Sequence, residues 1–358
     1  MVLNKYVSAL LKLLHRLRGD FWLIRHNWNF NHLHHGGLLA VLRCLVGTYR
    51  IEMSPPNQIA AIQPDWMTFS VVPGLTFLWA GLVARLGPEF VGRILIGDCS
   101  GGFNGTGKTS HQSWVVKHLL NYSHGQKSDL FFLKVCKSEY VVVCDDDVLW
   151  LDSTPIEWAL QQMMSDPKVA VVSLLPRGRF QWAIDGKSYQ PMGSYCLVVR
   201  RSIWQKENLP FLSIPGPSIN PQSYKGEYDT ADYANVELIK RGYRVVIAPD
   251  NIREHIIGLK GISSAIMDIH KHKAGILSEI SIPAEKLFST LTLVKGLQKL
   301  ILKYFPGSRQ VNEFGGDAII DKAYLTYREK LDVQAIESIE QAQSEILLKL
   351  DEVFQKSL

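Results

Sequence analysis

The chain has 358 residues, 46% hydrophobic and 20% charged, the balance of a globular protein with a sizeable core in one large domain or two modest ones. Its net charge of +5 is uneven: residues 1–50 hold seven Lys/Arg against Asp20 alone, or +6, leaving −1 for the rest and excluding a nucleic-acid groove across the body. No apolar run reaches the roughly 18–20 residues that span a bilayer, and no secretory signal is legible at the N-terminus. Five scattered cysteines without a C-x-x-C pair argue against a disulfide framework or a zinc site, and for a reducing, cytoplasmic location.

Residues 2–18 predict a basic amphipathic helix, with Leu3, Val7, Leu10, Leu14 and Leu17 on one side and Lys5, Lys12 and Arg16 on the other. Such a helix suits docking on its own domain or peripheral contact with an anionic membrane on its inner face, and both readings stay open. His26, His32, His34 and His35 follow without a carboxylate or cysteine beside them, which reads as a polar loop. Leu38–Val46 is apolar but short, and Arg43 interrupts it.

The body begins near Ala60. Trp66–Pro73 reads as a strand stopped by Pro-Gly, Leu75–Leu86 as a helix, and Arg93–Gly97 as a strand running into Asp98-Cys99-Ser100 and a glycine-rich loop. Ser113–Leu120 predicts a helix, Leu130–Cys136 a short element, and the β-branched Val141–Val143 a buried strand ending in Asp145, Asp146 and Asp147. The order β-α-β-α-β implies right-handed crossovers and an α/β fold whose mostly parallel sheet is flanked by helices. Ligands bind beyond the carboxyl ends of such strands, where Pro73, Asp98 and the Asp triplet fall.

Further on, Pro155–Met164 predicts a helix, Val169–Leu175 a strand, Ala183–Ser188 a hairpin turning at Asp185-Gly186, and Tyr195–Val199 a strand. Residues 205–228 form a Pro/Gly/Ser-rich loop of the length that is usually functional. A helix capped by Asp229 or Thr230 runs through Ile239 to a stop at Gly242, and Arg244–Ala248 is a strand with His255 in the segment after it. From Gly261 the pattern is helical, ending in a long amphipathic helix over Ala335–Phe354. The expected units are a basic N-terminal helical segment (1–60), a catalytic α/β domain (61–260) and a C-terminal helical region (261–358).

Three adjacent carboxylates cannot stay ionised and desolvated together without a counter-charge. A divalent cation is the natural partner, and a Mg²⁺-type site takes one or two carboxylates and leaves the rest to phosphates and water. On an extended chain Asp145 and Asp147 project to the same side, as a D-x-D pair. A competing reading is a P-loop NTPase: Gly102–Thr109, GFNGTGKT, matches G-x-x-x-x-G-K-[ST] in full, with VVVCDDD as a metal-binding strand. Against it, Asp98–Gly101 separate the strand from the first glycine of the motif and put a carboxylate where phosphate charge would gather.

Taken in order, Trp66–Pro73, ILIGDCSGG, YVVVCDDDV, GSYCLVVRR, DTADYANVELIKRGYRV and His255 resemble the GT-A-fold glycosyltransferases of the family 2 type over roughly residues 60–260. The resemblance implies a GT-A-type sheet, a nucleotide-diphosphate-sugar donor, a Mn²⁺ or Mg²⁺ ion, and a saccharide or lipid-linked acceptor hydroxyl. It implies Asp98 on the nucleotide base, Pro73, Ser100 and Asp146 around the donor, and Asp145 on the ribose or the metal. It places Asp147 on the metal that bridges the diphosphate, and His255 as a further metal or diphosphate ligand. The family's catalytic base sits at an E-D pair opening the late helix; this chain departs from that, with Glu227-Tyr228-Asp229 and then Asp232, so the base is Asp229 or Asp232. A nucleotidyltransferase and a non-catalytic binding module are the remaining alternatives.

Overall fold

The computed structural model describes residues 38–52, 63–103, 108–109, 112–178, 181–216, 227–259, 261–305 and 317–356. The predicted helix over 2–18 and the histidine run lie outside them. The first half contains α1 (Leu38–Glu52), β1 (Asp65–Ser70), α2 (Pro73–Val83), β2 (Arg93–Asp98), β3 (Lys108–Thr109), β4 (Gln112–His118), α3 (His124–Lys134) and β5 (Tyr140–Cys144). Next come β6 (Val148–Trp150), α4 (Thr154–Ser165), β7 (Val169–Ser173), β8 (Trp182–Ile184), β9 (Lys187–Tyr189), β10 (Cys196–Arg200) and α5 (Arg201–Lys206). Then follow β11 (Ile214–Pro215), β12 (Glu227–Tyr228), α6 (Asp232–Lys240), β13 (Arg244–Ile247), α7 (Asp250–Arg253) and β14 (Ile256–Gly258). Four helices close the described chain: α8 (Ile262–Lys273), α9 (Ala284–Tyr304), α10 (Asp317–Arg328) and α11 (Val333–Gln355).

The centre is an eight-stranded sheet in the order β13-β7-β10-β5-β1-β2-β4-β3. It is parallel except for β10, which runs antiparallel between β7 and β5, and β3, which turns back along β4. The fold is therefore α/β with a mostly parallel sheet, as the element order predicts. Side chains alternate along each strand and feed two cores. Trp66, Ile94, Val142 and Val198 join the helices α2, α4, α8 and α9 on one face, and Met67, Leu95, Val143 and Leu197 join α3, α5 and α6 on the other. Both faces are covered, which is why β5 reads as a continuous apolar run and not as an alternating one. At the amino edge of the sheet Asp65, fully buried, takes a bidentate pair from Arg93 and the backbone N–H groups of Lys137 and Ser138, tying the starts of β1, β2 and β5 together.

Two elements differ from expectation. Ser113–Leu120 is not a helix: residues 112–118 form strand β4, parallel to β2 from Ile94↔Trp114 to Asp98↔His118. A short apolar run fits both periods, and the pairing partner decides. The short element expected at Leu130–Cys136 is the tail of α3, which starts at His124 behind Ser123, whose hydroxyl accepts from Gln126 N–H at 3.4 Å. Residues 38–52 do not stand apart from the body. Helix α1 lies on β4, so close that a Cβ on Gly47 would come 2.0 Å from the His118 carbonyl oxygen. Among the described residues no helix is long and apolar enough to cross a membrane.

Candidate active site at the carboxyl edge of the sheet

The parallel strands end together, and their ends hold the acidic residues. Strand β5 stops at Cys144, and Val148 N–H returns to the Asp145 carbonyl at 3.2 Å, so the triplet is a tight turn and not an extended D-x-D pair. A turn splays its side chains, and each carboxylate has a different neighbour. Asp145 Oδ1 faces His124 Nε2 at 3.5 Å. Asp146 points inward, 5% exposed, with Oδ2 accepting from Thr76 Oγ1 at 2.5 Å in the first turns of α2. Asp147 Oδ2 accepts from the Gly261 N–H at 3.3 Å, and its carbonyl from Leu259 N–H at 2.7 Å. Pro73 is the first residue of α2 and so fixes where that helix begins; the strand before it ends earlier, at Ser70.

The triplet is electrostatically crowded. Burial, then the Asp147 and Asp146 charges, raise the Asp145 pKa well above the usual carboxylate range. Burial likewise pushes Asp146 up to about 7, against the Thr76 hydrogen bond that lowers it. The nearby cation is Lys127, 5% exposed, which lies 5.3 Å from the Phe69 ring centre and 2.7 Å from Asn121 Oδ1, and whose charge draws both carboxylate pKa values down. Burial and the same ammonium hold the His124 imidazole neutral, its pKa lowered to about 4. A carboxylate turn with this excess of negative charge has the oxygen donor set of a hard divalent cation. Among the described residues, however, no group of three or more His, Cys, Asp or Glu is arranged to hold a metal. A cation at this turn would take most of its ligands from phosphate oxygens and water.

His255 is not brought to the triplet. Strand β14 runs antiparallel to β6 from Gly258↔Val148 to Ile256↔Trp150, which sets Leu259 beside Asp147 and His255 beside Leu151. His255 thus stands four residues away along the ladder, roughly 13 Å at about 3.3 Å per residue. Its Nδ1 is 2.7 Å from Asp152 Oδ2.

Asp98 is fully buried and saturated. Oδ1 accepts from Ser100 N–H (2.8 Å), Ser100 Oγ (2.5 Å) and Gly101 N–H (3.2 Å), and Oδ2 from Phe103 N–H (3.2 Å) with His118 Nδ1 at 2.8 Å. Five contacts exhaust a carboxylate's acceptor sites. Asp98 and Ser100 therefore shape the loop after β2 instead of projecting from it. Gly101 is needed there: its φ is +70°, and a Cβ would meet the Ala40 carbonyl oxygen at 2.3 Å. The P-loop reading fails on the same stretch, because Lys108 and Thr109 lie in strand β3, paired to β4, where a P-loop needs them at a helix N-terminus.

Across the carboxyl edge, Asp229 and Asp232 share one cation that sequence reasoning misses. Arg177 Nη1 lies 3.0 Å from Asp229 Oδ2 and 3.0 Å from Asp232 Oδ1, and Nη2 donates to Ser194 Oγ and the Thr230 carbonyl at 3.2 Å each. Asp232 is 2% exposed and Asp229 50%. The helix cap differs from expectation: α6 starts at Asp232 behind Ala231, which takes the left-handed conformation (φ 63°), while Asp229 accepts from Thr230 N–H at 2.7 Å. The Asp229 charge acts on His124, which links this cluster to the triplet electrostatically.

No protein-family model matches the chain, and no curated protein matches it in sequence. Among solved structures it is similar to a mannosyltransferase from Pyrobaculum calidifontis in complex with GDP-Man and Mn2+, at 11% identity and a TM-score of 0.40, over 89% of this chain and 94% of that one.

Proposed function

We propose that the chain is a glycosyltransferase that moves a sugar from a nucleotide-diphosphate donor to an acceptor hydroxyl. The observation that carries this reading is the pairing of two acidic centres on one sheet edge: a crowded carboxylate turn at Asp145–Asp147, and the Asp229–Asp232 pair held by Arg177. An inverting transfer needs both. Asp145 and Asp147 would hold a Mn²⁺ or Mg²⁺ ion, which neutralises the diphosphate leaving group. The second centre supplies the carboxylate that takes the proton of the acceptor hydroxyl, as inverting transfer requires.

In this reading each remaining residue has a stated part. Arg177 holds Asp229 and Asp232 side by side at the edge of the sheet. Asp229 is the member open to an incoming acceptor, and Asp232 is the buried anchor. Asp146 and Thr76 lock the triplet to the start of α2, which Pro73 sets. Asp98 and Ser100 serve the donor through the loop they order, and Lys127 adds a fixed positive charge within electrostatic reach of the triplet. A panel of UDP-, GDP- and dTDP-sugars, assayed with Mn²⁺ for nucleotide release, tests the reading. Release that disappears in Asp147→Ala and survives in Lys108→Ala supports it; no release with any donor rejects it.

A further inference from the structure

We infer that α1 is a membrane-surface element whose outward face seats on an anionic lipid bilayer. A helix resting on a globular body needs one apolar face, and α1 has two. Ala40, Val41, Cys44, Thr48 and Ile51 face the body and are at most 3% exposed. On the opposite side Leu38, Leu39, Leu42 and Val46 are 54%, 67%, 43% and 49% exposed. At about 100° per residue these four fall in a single arc, and Arg43 and Arg50, both exposed, border it. No acidic residue occurs between Leu38 and Ile51. An apolar arc edged by arginines is the pattern of a helix lying in the headgroup boundary, with its apolar side chains inserted and its cations on anionic lipid.

Charge selects the occupant. The preceding residues carry Lys5, Lys12, Arg16, Arg18 and Arg25 against Asp20 alone. A second copy on this face would set the exposed Arg43 and Arg50 of one chain against those of the other, whereas an anionic bilayer answers both the charge and the exposed leucines. The surface also adjoins the candidate site. Arg43 Nη1 donates to the Gly101 carbonyl at 3.3 Å, so α1 touches the loop that Asp98 orders. On the glycosyl-transfer reading, on which this last step rests, a bilayer under α1 favours a lipid-linked acceptor over a free saccharide.

The test is flotation of the full chain with phosphatidylcholine vesicles, with and without phosphatidylglycerol, and with no donor present. The expected result is binding to the anionic vesicles, weakened by salt and reduced at least about tenfold in Leu39→Glu/Leu42→Glu, two exposed positions whose change leaves the core alone. Circular dichroism checks that the variant is folded, and Arg50→Glu gives a second, smaller loss. Four outcomes overturn the inference: no binding by the unaltered chain; equal binding by the leucine variant; loss in Leu10→Glu/Leu14→Glu alone, which assigns the contact to residues 2–18; or a dimer that the leucine variant dissolves while vesicle binding is unchanged. A chain that floats but releases no nucleotide from any donor keeps this inference and loses the transfer reading.

Discussion

Arg177 and Asp232 form an ion pair at 3.0 Å with Asp232 only 2% exposed and Arg177 11% exposed. A buried carboxylate left without its cation is costly, so Arg177→Ala should destabilise the fold by about 3 kcal/mol in urea titration. Arg177→Lys should recover only part of this, because an ammonium cannot span Asp229, Asp232, Ser194 and the Thr230 carbonyl at once. Arg177→Gln, which removes the cation that Asp229 and Asp232 share, should lower kcat and leave the cation-dependent binding of donor in place. An unchanged kcat in Arg177→Gln would separate Arg177 from the chemistry.

The two acidic centres should fail in different ways. If Asp147 holds the cation as proposed, calorimetry on Asp147→Ala should show that nucleotide-sugar binding no longer tightens when Mn²⁺ is added. Asp229→Asn and Asp232→Asn should leave that cation-dependent binding in place and lower kcat, each by about a hundredfold or more. If both asparagine variants turned over at the normal rate, the proton would have to go elsewhere and the proposed base would be wrong.

Much of this arrangement is legible in the sequence, and the illegible part has a physical cause. The β-branched run Val141–Val143 reads as a doubly covered strand, and three carboxylates at its end stand out against it. The expected right-handed crossovers then place Pro73, Asp98 and Asp145 on one edge without further information. The cations are another matter. Arg177 meets its partners 52 and 55 residues on, and Lys127 reads as an ordinary solvated helix residue until α3 is set against β1. The β4 run SWVVKHLL fits a helix and a strand equally, and only the vacant edge of β2 decides between them. The place of His255 follows from the β6–β14 register, which depends on a turn at the triplet that an extended reading of D-x-D hides.

At the opposite edge, Asp65 offers a control remote from the site. It is fully buried, and both its oxygens are occupied by Arg93 and by the Lys137 and Ser138 N–H groups. Asp65→Ala leaves two backbone donors without their acceptor and the Arg93 guanidinium without its counter-charge, and should cost about 3 kcal/mol or more in chemical denaturation. Because the contact ties strand starts and not strand ends, donor affinity per folded molecule should be unchanged.

The pH dependence of stability should carry the mark of Asp129. This α3 carboxylate accepts from the Phe211 N–H at 2.7 Å and the Leu212 N–H at 3.1 Å, anchoring the base of the Pro/Gly-rich loop. Burial pushes its pKa up to about 6 despite those bonds. A carboxylate raised in the folded state binds protons more tightly than in the unfolded chain. Its contribution is therefore fully present below the unfolded value near 4, and is lost as the pH rises through about 6. Asp145 and Asp146, also raised, act in the same sense, so the unaltered chain should lose stability across the weakly acidic range. Asp129→Asn removes one titrating group, and the stability difference between the two chains should shrink as the pH climbs from about 4 to about 6. Urea midpoints measured at half-unit intervals read this directly; a difference that is flat with pH would mean that Asp129 binds its proton equally well in the folded and unfolded chains.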